Sequence, residues 1–523
     1  MPDDRPNILL FYTDQHRLSA LGCYGDTSCR TPNLDRLAEE GVRFETMYTS
    51  CPVCSPARAT VMTGWHIHTH GVVANVRDIG CNVMELPDGD HLLSRRLAAA
   101  GYRCGYTGKW HIGGAPWGEG FGVEHYGIDR LPVALPTTRG FEGQDFPGHG
   151  GGGFGYDEYK RYLAEHGWEH KVRPPEREGV RCMGYGILEG PTESTVGHFL
   201  AEHTIELIDR FAEAGDPFFI WHNNWGPHSP YYVPQDWYDM YRDVEIPPWP
   251  TYEWRPDRAG MPSGVKQHPQ ADTLGWDEWA EGIRHYYAFA SMLDYEIGRV
   301  IEHLAAKGLA GNTVVIFTSD HGETLGSHGG LTDKGWHHFE EIQRVGLLVR
   351  DPRGFGTVGA APGTVERRWA SAVDLYPTIC DLASAKFDAD AVHGRSLLPL
   401  LRGEDVDWRD TAFVEFCGVN SLATTTITCR HGALKYGWNG NTTDELYDLA
   451  ADPDETRNLI DDPAYAAAAD DMRRRIYTFM RQSRHRAAGM FSNTRLGWWG
   501  ARSFGKTPDP LNPEDWLVPL RWK

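Results

Sequence analysis

At 523 residues the chain is longer than one hydrophobic core normally spans, so a large domain with a smaller companion is expected. A formal net charge of −21 argues against nucleic acid or an anionic membrane as partner, because such binders carry basic patches; an anionic substrate would need a locally basic pocket. The 10 cysteines are scattered with no regular framework, as in compartments that keep thiols reduced. The N-terminus lacks a basic region ahead of its short apolar run, and no apolar stretch approaches a membrane span, so a cytoplasmic enzyme is expected.

In chain order, Asn7–Tyr12 reads as a buried strand that delivers Thr13, Asp14 and Gln15 at its carboxyl end, where open α/β sheets place their ligand sites. A helix from Thr31 stops at Gly41. Thr49–Gly64 then sets a thiol, Cys54, just ahead of Ser55-Pro56-Ala57-Arg58, with Pro56 suited to a first helical turn. Free backbone N–H groups at a helix start attract anions, and Arg58 adds a planar fork of donors suited to a tetrahedral oxyanion. His66, His68 and His70 alternate without an HExxH pattern, and loop histidines of this kind more often stack or hydrogen-bond than bind zinc. Asn75 lies just beyond. A helix over His91–Ala100 leads to a strand over Tyr102–Tyr106, ending in Lys109 and His111.

From Gly113 to about Gly190 the chain is Gly-rich and reads as irregular. Val196–Ala214 is a helix by spacing, and Pro217–Trp221 a strand leading to His228. Trp276–Ala306 is the longest helical pattern. It feeds a β-branched run, Thr313–Phe317, that delivers Asp320 and His321, with Lys334 beyond. Val345–Val349 is a further strand and Ala370–Ala383 a further helix. This alternation predicts a mostly parallel α/β sheet covered by helices on both faces. Past Gly403 the texture changes to short antiparallel strands, over Thr424–Arg430, Ala433–Tyr436 and Glu445–Leu449, and a helix over Pro463–Gln482. The expected units are 1–403, 404–485 and an aromatic tail, 486–523, whose Trp498, Trp499, Trp516 and Trp522 would need a covering surface, the chain's own core or a second subunit.

Asp14, Gln15, Asp320 and His321 would rise from neighbouring strand ends. Mostly oxygen donors favour a hard cation, Ca²⁺ or Mg²⁺, over zinc. Arg58, Lys109, His111, His228 and Lys334 would surround it as a basic pocket suited to a doubly charged tetrahedral ester.

Cys54-Ser55-Pro56-Ala57-Arg58 followed by Thr63-Gly64 resembles the signature of the type I sulfatases. The Thr-Asp-Gln, Gly-Tyr-Thr-Gly-Lys-Trp-His, Gly-Pro-His-Ser-Pro-Tyr and Ser-Asp-His-Gly-Glu segments, with Lys334 and the C-terminal ELYDLAADPDETRNL, resemble that family in the same order. The resemblance implies an alkaline-phosphatase-like α/β core with a small C-terminal antiparallel sheet. It implies that a formylglycine-generating enzyme oxidises Cys54 to formylglycine, and that Ca²⁺, alternatively Mg²⁺ or Mn²⁺, is held by Asp14, Gln15, Asp320, His321 and the modified residue 54. It further implies hydrolysis of a small-molecule or carbohydrate sulfate ester. In that scheme Arg58, Lys109 and Asn75 bind the sulfate, His111 serves as a base, and His228 with Lys334 protonates the leaving alcohol. Gln15 departs from the second Asp of many members. Phosphonate monoester and phosphodiester hydrolases of the same superfamily are the competing reading, although they tend to carry uncharged polar residues at the positions of Lys109 and His111. A non-catalytic binding protein of the same fold is more remote, because nucleophile and ligands are all present.

Overall fold

The computed structural model describes residues 5–25, 27–76, 81, 83–113, 133–145, 153–175, 184–254, 274–334, 338–354, 360–419, 422–440 and 442–496. Nine strands form the main sheet: β1 (Asn7–Asp14), β2 (Val42–Tyr48), β3 (Arg103–Gly108), β4 (Glu142–Gly143), β5 (Phe218–Pro227), β6 (Thr313–Ser319), β7 (Arg344–Arg350), β8 (Thr364–Glu366) and β9 (Ala370–Ser371). In space they run β8-β2-β7-β6-β1-β5-β3-β4, with β9 also paired to β2. All pairings are parallel except those of β7, which is antiparallel to β2 and β6.

β1 lies at the centre and all of its residues are buried, as its continuous apolar run requires of a strand covered on both faces. Its side chains alternate. Ile8, Leu10 and Tyr12 face α2 (Cys54–Thr63) and α5 (Leu375–Leu382). Leu9 and Phe11 face α1 (Pro32–Glu40), α3 (Val196–Ala214) and α4 (Trp276–Ala306). The period of two carries on to Asp14, which emerges on the α2 side of the sheet. Register then fixes its neighbour: Tyr12 pairs with Thr318 and Thr13 with Ser319, so Asp320 leaves β6 beside Asp14.

The C-terminal part is an antiparallel meander, β10 (Thr411–Val419), β11 (Leu422–His431), β12 (Leu434–Asn439) and β13 (Glu445–Asp448). One face packs on α6 (Ala466–Gln482) through Ile427, Tyr436, Trp438, Met472 and Ile476. The other meets the strands and helices of the main sheet. Val414 packs on Tyr48, Phe416 on Cys51, Val53 and Ile67, and the Glu415 amide donates to the Ser50 carbonyl at 2.9 Å. The C-terminal sheet thus braces the loop that enters α2.

Three segments depart from the sequence expectations. The stretch read as irregular contains a helix at Asp157–Glu165 and a strand at Tyr185–Leu188; the helix buries only Tyr159 and Leu163, so its apolar signal is weak. The single helix expected over 370–383 is β9, a turn of 3₁₀ helix and α5, because Ala370 and Ser371 pair with β2 and the Ser371 amide donates to the Asp374 carboxylate at 2.9 Å, so the helix starts late. The C-terminal sheet gains β10, a largely apolar stretch that the sequence expectations did not include. Beyond α6, a helix over Ala488–Arg495 buries Phe491 edge-on against Trp438. The four tail tryptophans lie outside the described residues. Among the described residues no helix is long and apolar enough to cross a membrane.

Candidate active site

α2 starts at Cys54 itself, with Val53 extended (φ −142°) as its N-cap, and stops where Gly64 turns left-handed (φ +70°). All of its residues are buried, Arg58 included. Ser55 secures the helix start: its amide donates to Asn75 Oδ1 at 3.2 Å, and its hydroxyl donates to the His111 carbonyl. Three segments distant in the chain therefore meet at the start of α2. Burial, then the Asp14 charge, pushes the Cys54 thiol up to about 12, so at pH 7 roughly one thiol in 10⁵ would be thiolate. An unmodified cysteine here is a poor nucleophile.

Around Cys54 stand Asp14, Asp320 and His321, whose ligand atoms with Sγ all lie within 4.8 Å of one another. Sγ is 3.5 Å from Asp14 Oδ1 and 3.3 Å from His321 Nε2, and His321 Nε2 is 3.6 Å from Asp320 Oδ1. His321 Nδ1 donates to the Gly322 carbonyl at 3.0 Å, which leaves the Nε2 lone pair aimed into the cluster. Burial also disfavours the imidazolium. Two carboxylates and one neutral imidazole, all buried, fit a divalent cation. Gln15, at φ +61°, sits beside them, its amide N–H donating to Asp320 Oδ1 at 2.9 Å.

The cationic side chains converge on the same place. Arg58 donates to Asn223 Oδ1 at 2.6 Å, to the Lys109 carbonyl at 3.0 Å and to Asp320 Oδ2 at 3.2 Å, with its guanidinium over the Tyr12 ring. Burial works against its charge, but Asp320 and Asp14 outweigh that and hold it protonated. Its Nε has no hydrogen-bond partner among the described residues. Lys109 pairs with Asp14, both fully buried. Burial pushes the Asp14 carboxyl up, yet Lys109, His228, Arg58 and Lys334 outweigh it and hold it well below the usual range.

Lys334 Nζ donates to Gln15 Oε1 at 2.5 Å and lies 2.8 Å from His228 Nε2. Because His228 Nδ1 donates to the Ser229 carbonyl at 2.7 Å, Nε2 accepts the Lys334 proton. His111 is buried just beyond Lys109, in a left-handed conformation (φ +55°). Gly108 is what lets Lys109 and His111 leave the strand: it sits at φ +91°, and a Cβ there would lie 1.7 Å from the Asn223 carbonyl oxygen.

Every residue singled out for the cation and the basic pocket is thus brought to one place. Asn223 and Glu323 were not singled out. Asn223 holds Arg58, and Glu323 accepts from the Gln15 amide. Glu323 closes the quoted Ser-Asp-His-Gly-Glu segment and Asn223 lies just ahead of Gly-Pro-His-Ser-Pro-Tyr, but nothing in a linear sequence ties an asparagine on one strand to an arginine on a distant helix. The histidines after α2 go elsewhere. His66 stacks on His68, and His68 donates to Glu415 and to the Ser483 carbonyl. His68, Glu415 and His485 approach to ion-holding distance. However, the Ala487 amide donates to His485 Nδ1, so a neutral ring carries its proton on Nε2, 3.5 Å from Glu415. The group is hydrogen-bonded rather than open to a metal.

A sequence profile described as Sulfatase matches residues 6–385, most of the chain. The chain belongs to the sulfatase family. A second profile, N-sulphoglucosamine sulphohydrolase, C-terminal, matches residues 326–482 of this sulfatase. It is 29% identical to the uncharacterized sulfatase YidJ of Escherichia coli over 91% of this chain and 87% of that protein. It is 26% identical to an N-acetylglucosamine-6-O-sulfatase of Bacteroides thetaiotaomicron, over 88% of this chain and 84% of that one. Among solved structures, the phosphonate monoester hydrolase of Agrobacterium radiobacter superposes with a TM-score of 0.71 at 25% identity, covering 92% of this chain and 96% of that one. The mostly parallel α/β core and the sulfatase assignment expected from the motifs are both borne out.

Proposed function

We propose that this sulfatase hydrolyses the sulfate ester of a carbohydrate or other small alcohol, with formylglycine at position 54 and Ca²⁺ held by Asp14, Gln15, Asp320, His321 and residue 54. The single observation that carries the reading is the charge at the site. Arg58, Lys109 and Lys334 bring three buried cationic side chains to the cluster around Asp14 and Asp320, in a chain of net charge −21. Such a pocket favours a compact, multiply charged tetrahedral group. The similarity to an N-acetylglucosamine-6-O-sulfatase supports a sugar as the alcohol.

The hydrated aldehyde would supply a hydroxyl nucleophile made more acidic by the cation, and a second hydroxyl whose deprotonation frees the sulfate. The chain's own residues do the rest. The Arg58 fork and Lys109 Nζ hold the sulfate oxygens and neutralise the charge that gathers there. Asn75, fixed on the Ser55 amide, borders the helix start where those oxygens would lie. His228, assisted by Lys334, whose Nζ lies 2.8 Å from its Nε2, protonates the leaving oxygen while Nδ1 stays fixed on Ser229. His111 takes a proton in the step that releases sulfate. We take the catalytic unit as 1–403 and the bracing C-terminal unit as 404–485, with 486–523 as an aromatic tail that covers itself on the core or a second copy. The enzyme would mature and act in the cytoplasm.

The similarity to a phosphonate monoester hydrolase, together with the Asp14-Gln15 pair, favours phosphonate monoester or phosphodiester hydrolysis as a second reading. The test is a panel of sulfated sugars assayed beside aryl sulfate and aryl phosphonate monoesters with one matched leaving group, using enzyme coexpressed with a formylglycine-generating enzyme. Sulfate esters should turn over faster; faster turnover of the phosphorus esters would establish the second reading instead.

A further inference from the structure

Gln15 is held between two groups of opposite hydrogen-bonding character. Its Nε2 donates to Glu323 Oε2, and its Oε1 accepts from Lys334 Nζ at 2.5 Å. The main chain is clamped as well: its amide donates to Asp320 Oδ1 at 2.9 Å, and its carbonyl accepts from the Tyr286 hydroxyl at 2.8 Å. With the backbone fixed and the side chain buried, a half-turn of the terminal amide exchanges two ends of nearly equal shape and opposite polarity. A cation needs the oxygen end. Glu323 is itself oriented: its Oε1 accepts from the Leu325 amide at 3.1 Å and the Asp333 amide at 2.6 Å, so only Oε2 is turned to Gln15.

We propose that Glu323 is a positioning residue that fixes which end of the Gln15 amide faces the cation, so that residues 15 and 323 work as one acid–amide pair. The inference rests on the cation reading above. Its chemistry is specific. In Glu323→Gln, the two backbone amides keep the new side chain's oxygen at the Oε1 position, and its NH₂ then meets the Gln15 NH₂. Gln15 must turn over and present a donor to Lys334 and to the cation. In Gln15→Glu, two carboxylates face each other in a buried site. Exchanging the groups, Gln15→Glu with Glu323→Gln, restores a donor–acceptor contact between them and an oxygen toward the cation.

The experiment titrates Ca²⁺ by calorimetry into chelator-treated enzyme, with equal modification of Cys54 in every variant. Thermal melts of the metal-free forms report folding. Each single substitution should weaken Ca²⁺ binding about 10- to 100-fold, as loss of a group that orients a metal ligand does, and the exchanged double variant should recover most of it. A merely structural role for Glu323 would give losses that add in the double variant. Wild-type affinity in Glu323→Gln overturns the inference, and so does an exchanged variant that binds no better than the singles or does not fold. Should Glu323→Gln alone fail to fold, Gln15→Glu against the exchanged variant makes the same comparison. A wild-type enzyme that binds no divalent cation would sink the cation reading itself, and this inference with it. Binding in the wild type with no effect at position 323 sinks the inference alone.

Discussion

Replacing Lys109 by Met removes one charge from the centre of the site and keeps the length of the stem. Lys109 Nζ and the Asp14 carboxylate are both fully buried and paired, and breaking such a pair by removing one partner costs about 3–5 kcal/mol. The other cations cannot take over. Arg58 is committed to Asp320, Asn223 and the Lys109 carbonyl, and Lys334 to Asp333, Gln15 and His228. The metal-free variant should therefore melt well below the metal-free wild type. A bound divalent cation supplies charge to the same carboxylate, so saturating Ca²⁺ should narrow that gap. Activity should not recover in the same way, because the lost ammonium is the group proposed to hold a sulfate oxygen; kcat/KM should fall by about 10²–10³, as for removal of one oxyanion donor. Melting curves with and without Ca²⁺, beside aryl sulfate kinetics on fully modified enzyme, separate the two effects. Unchanged kcat/KM in a folded, metal-loaded Lys109→Met enzyme would refute the role given to Lys109.

Cys54→Ala should abolish turnover and leave the melting temperature near that of the wild type, since the side chain removed is small; intact-mass analysis showing an unmodified thiol in fully active enzyme would overturn the formylglycine reading. His228→Asn should slow sulfate esters of poor, alkyl leaving groups by about 10²–10⁴ and nitrophenyl sulfate far less; equal losses for both would show that His228 does not protonate the leaving oxygen. Acid should destabilise the fold early. Burial lowers His16 and His70 to about 3, and His222 and His485 to about 4, against about 6.5 in the unfolded chain. Below that value the unfolded state binds protons that the folded state refuses, so the stability these rings contribute is present above pH 6.5 and is lost as pH falls toward 4, each ring adding up to about 1.4 kcal/mol per pH unit. A melting temperature that stays flat across that window would contradict the buried, neutral state of these rings.

The sequence by itself determined the strands, because a buried parallel strand must be apolar on both faces, and Asn7–Tyr12 and Thr313–Phe317 are. It determined the two long helices, whose spacing and glycine stops at Gly215 and Gly308 are local. It also determined the chemistry, because Cys54-Ser55-Pro56-Ala57-Arg58 and the polar residues at strand ends are contiguous in the chain. What only the tertiary structure decided is how those ends meet. Asp14 faces Cys54 because alternation along β1 turns it to the α2 side, and Asp320 joins it because β1 and β6 pair in one register. Neither strand's sequence specifies that register alone. Asn223 reaches Arg58 only because Gly108 lets two backbones touch. Glu323 reaches Gln15 only because β6 lies beside β1. The Gly-rich middle of the chain escaped a sequence reading for the opposite reason: its order comes from neighbours distant in the chain, and a weak local pattern carries no record of those neighbours.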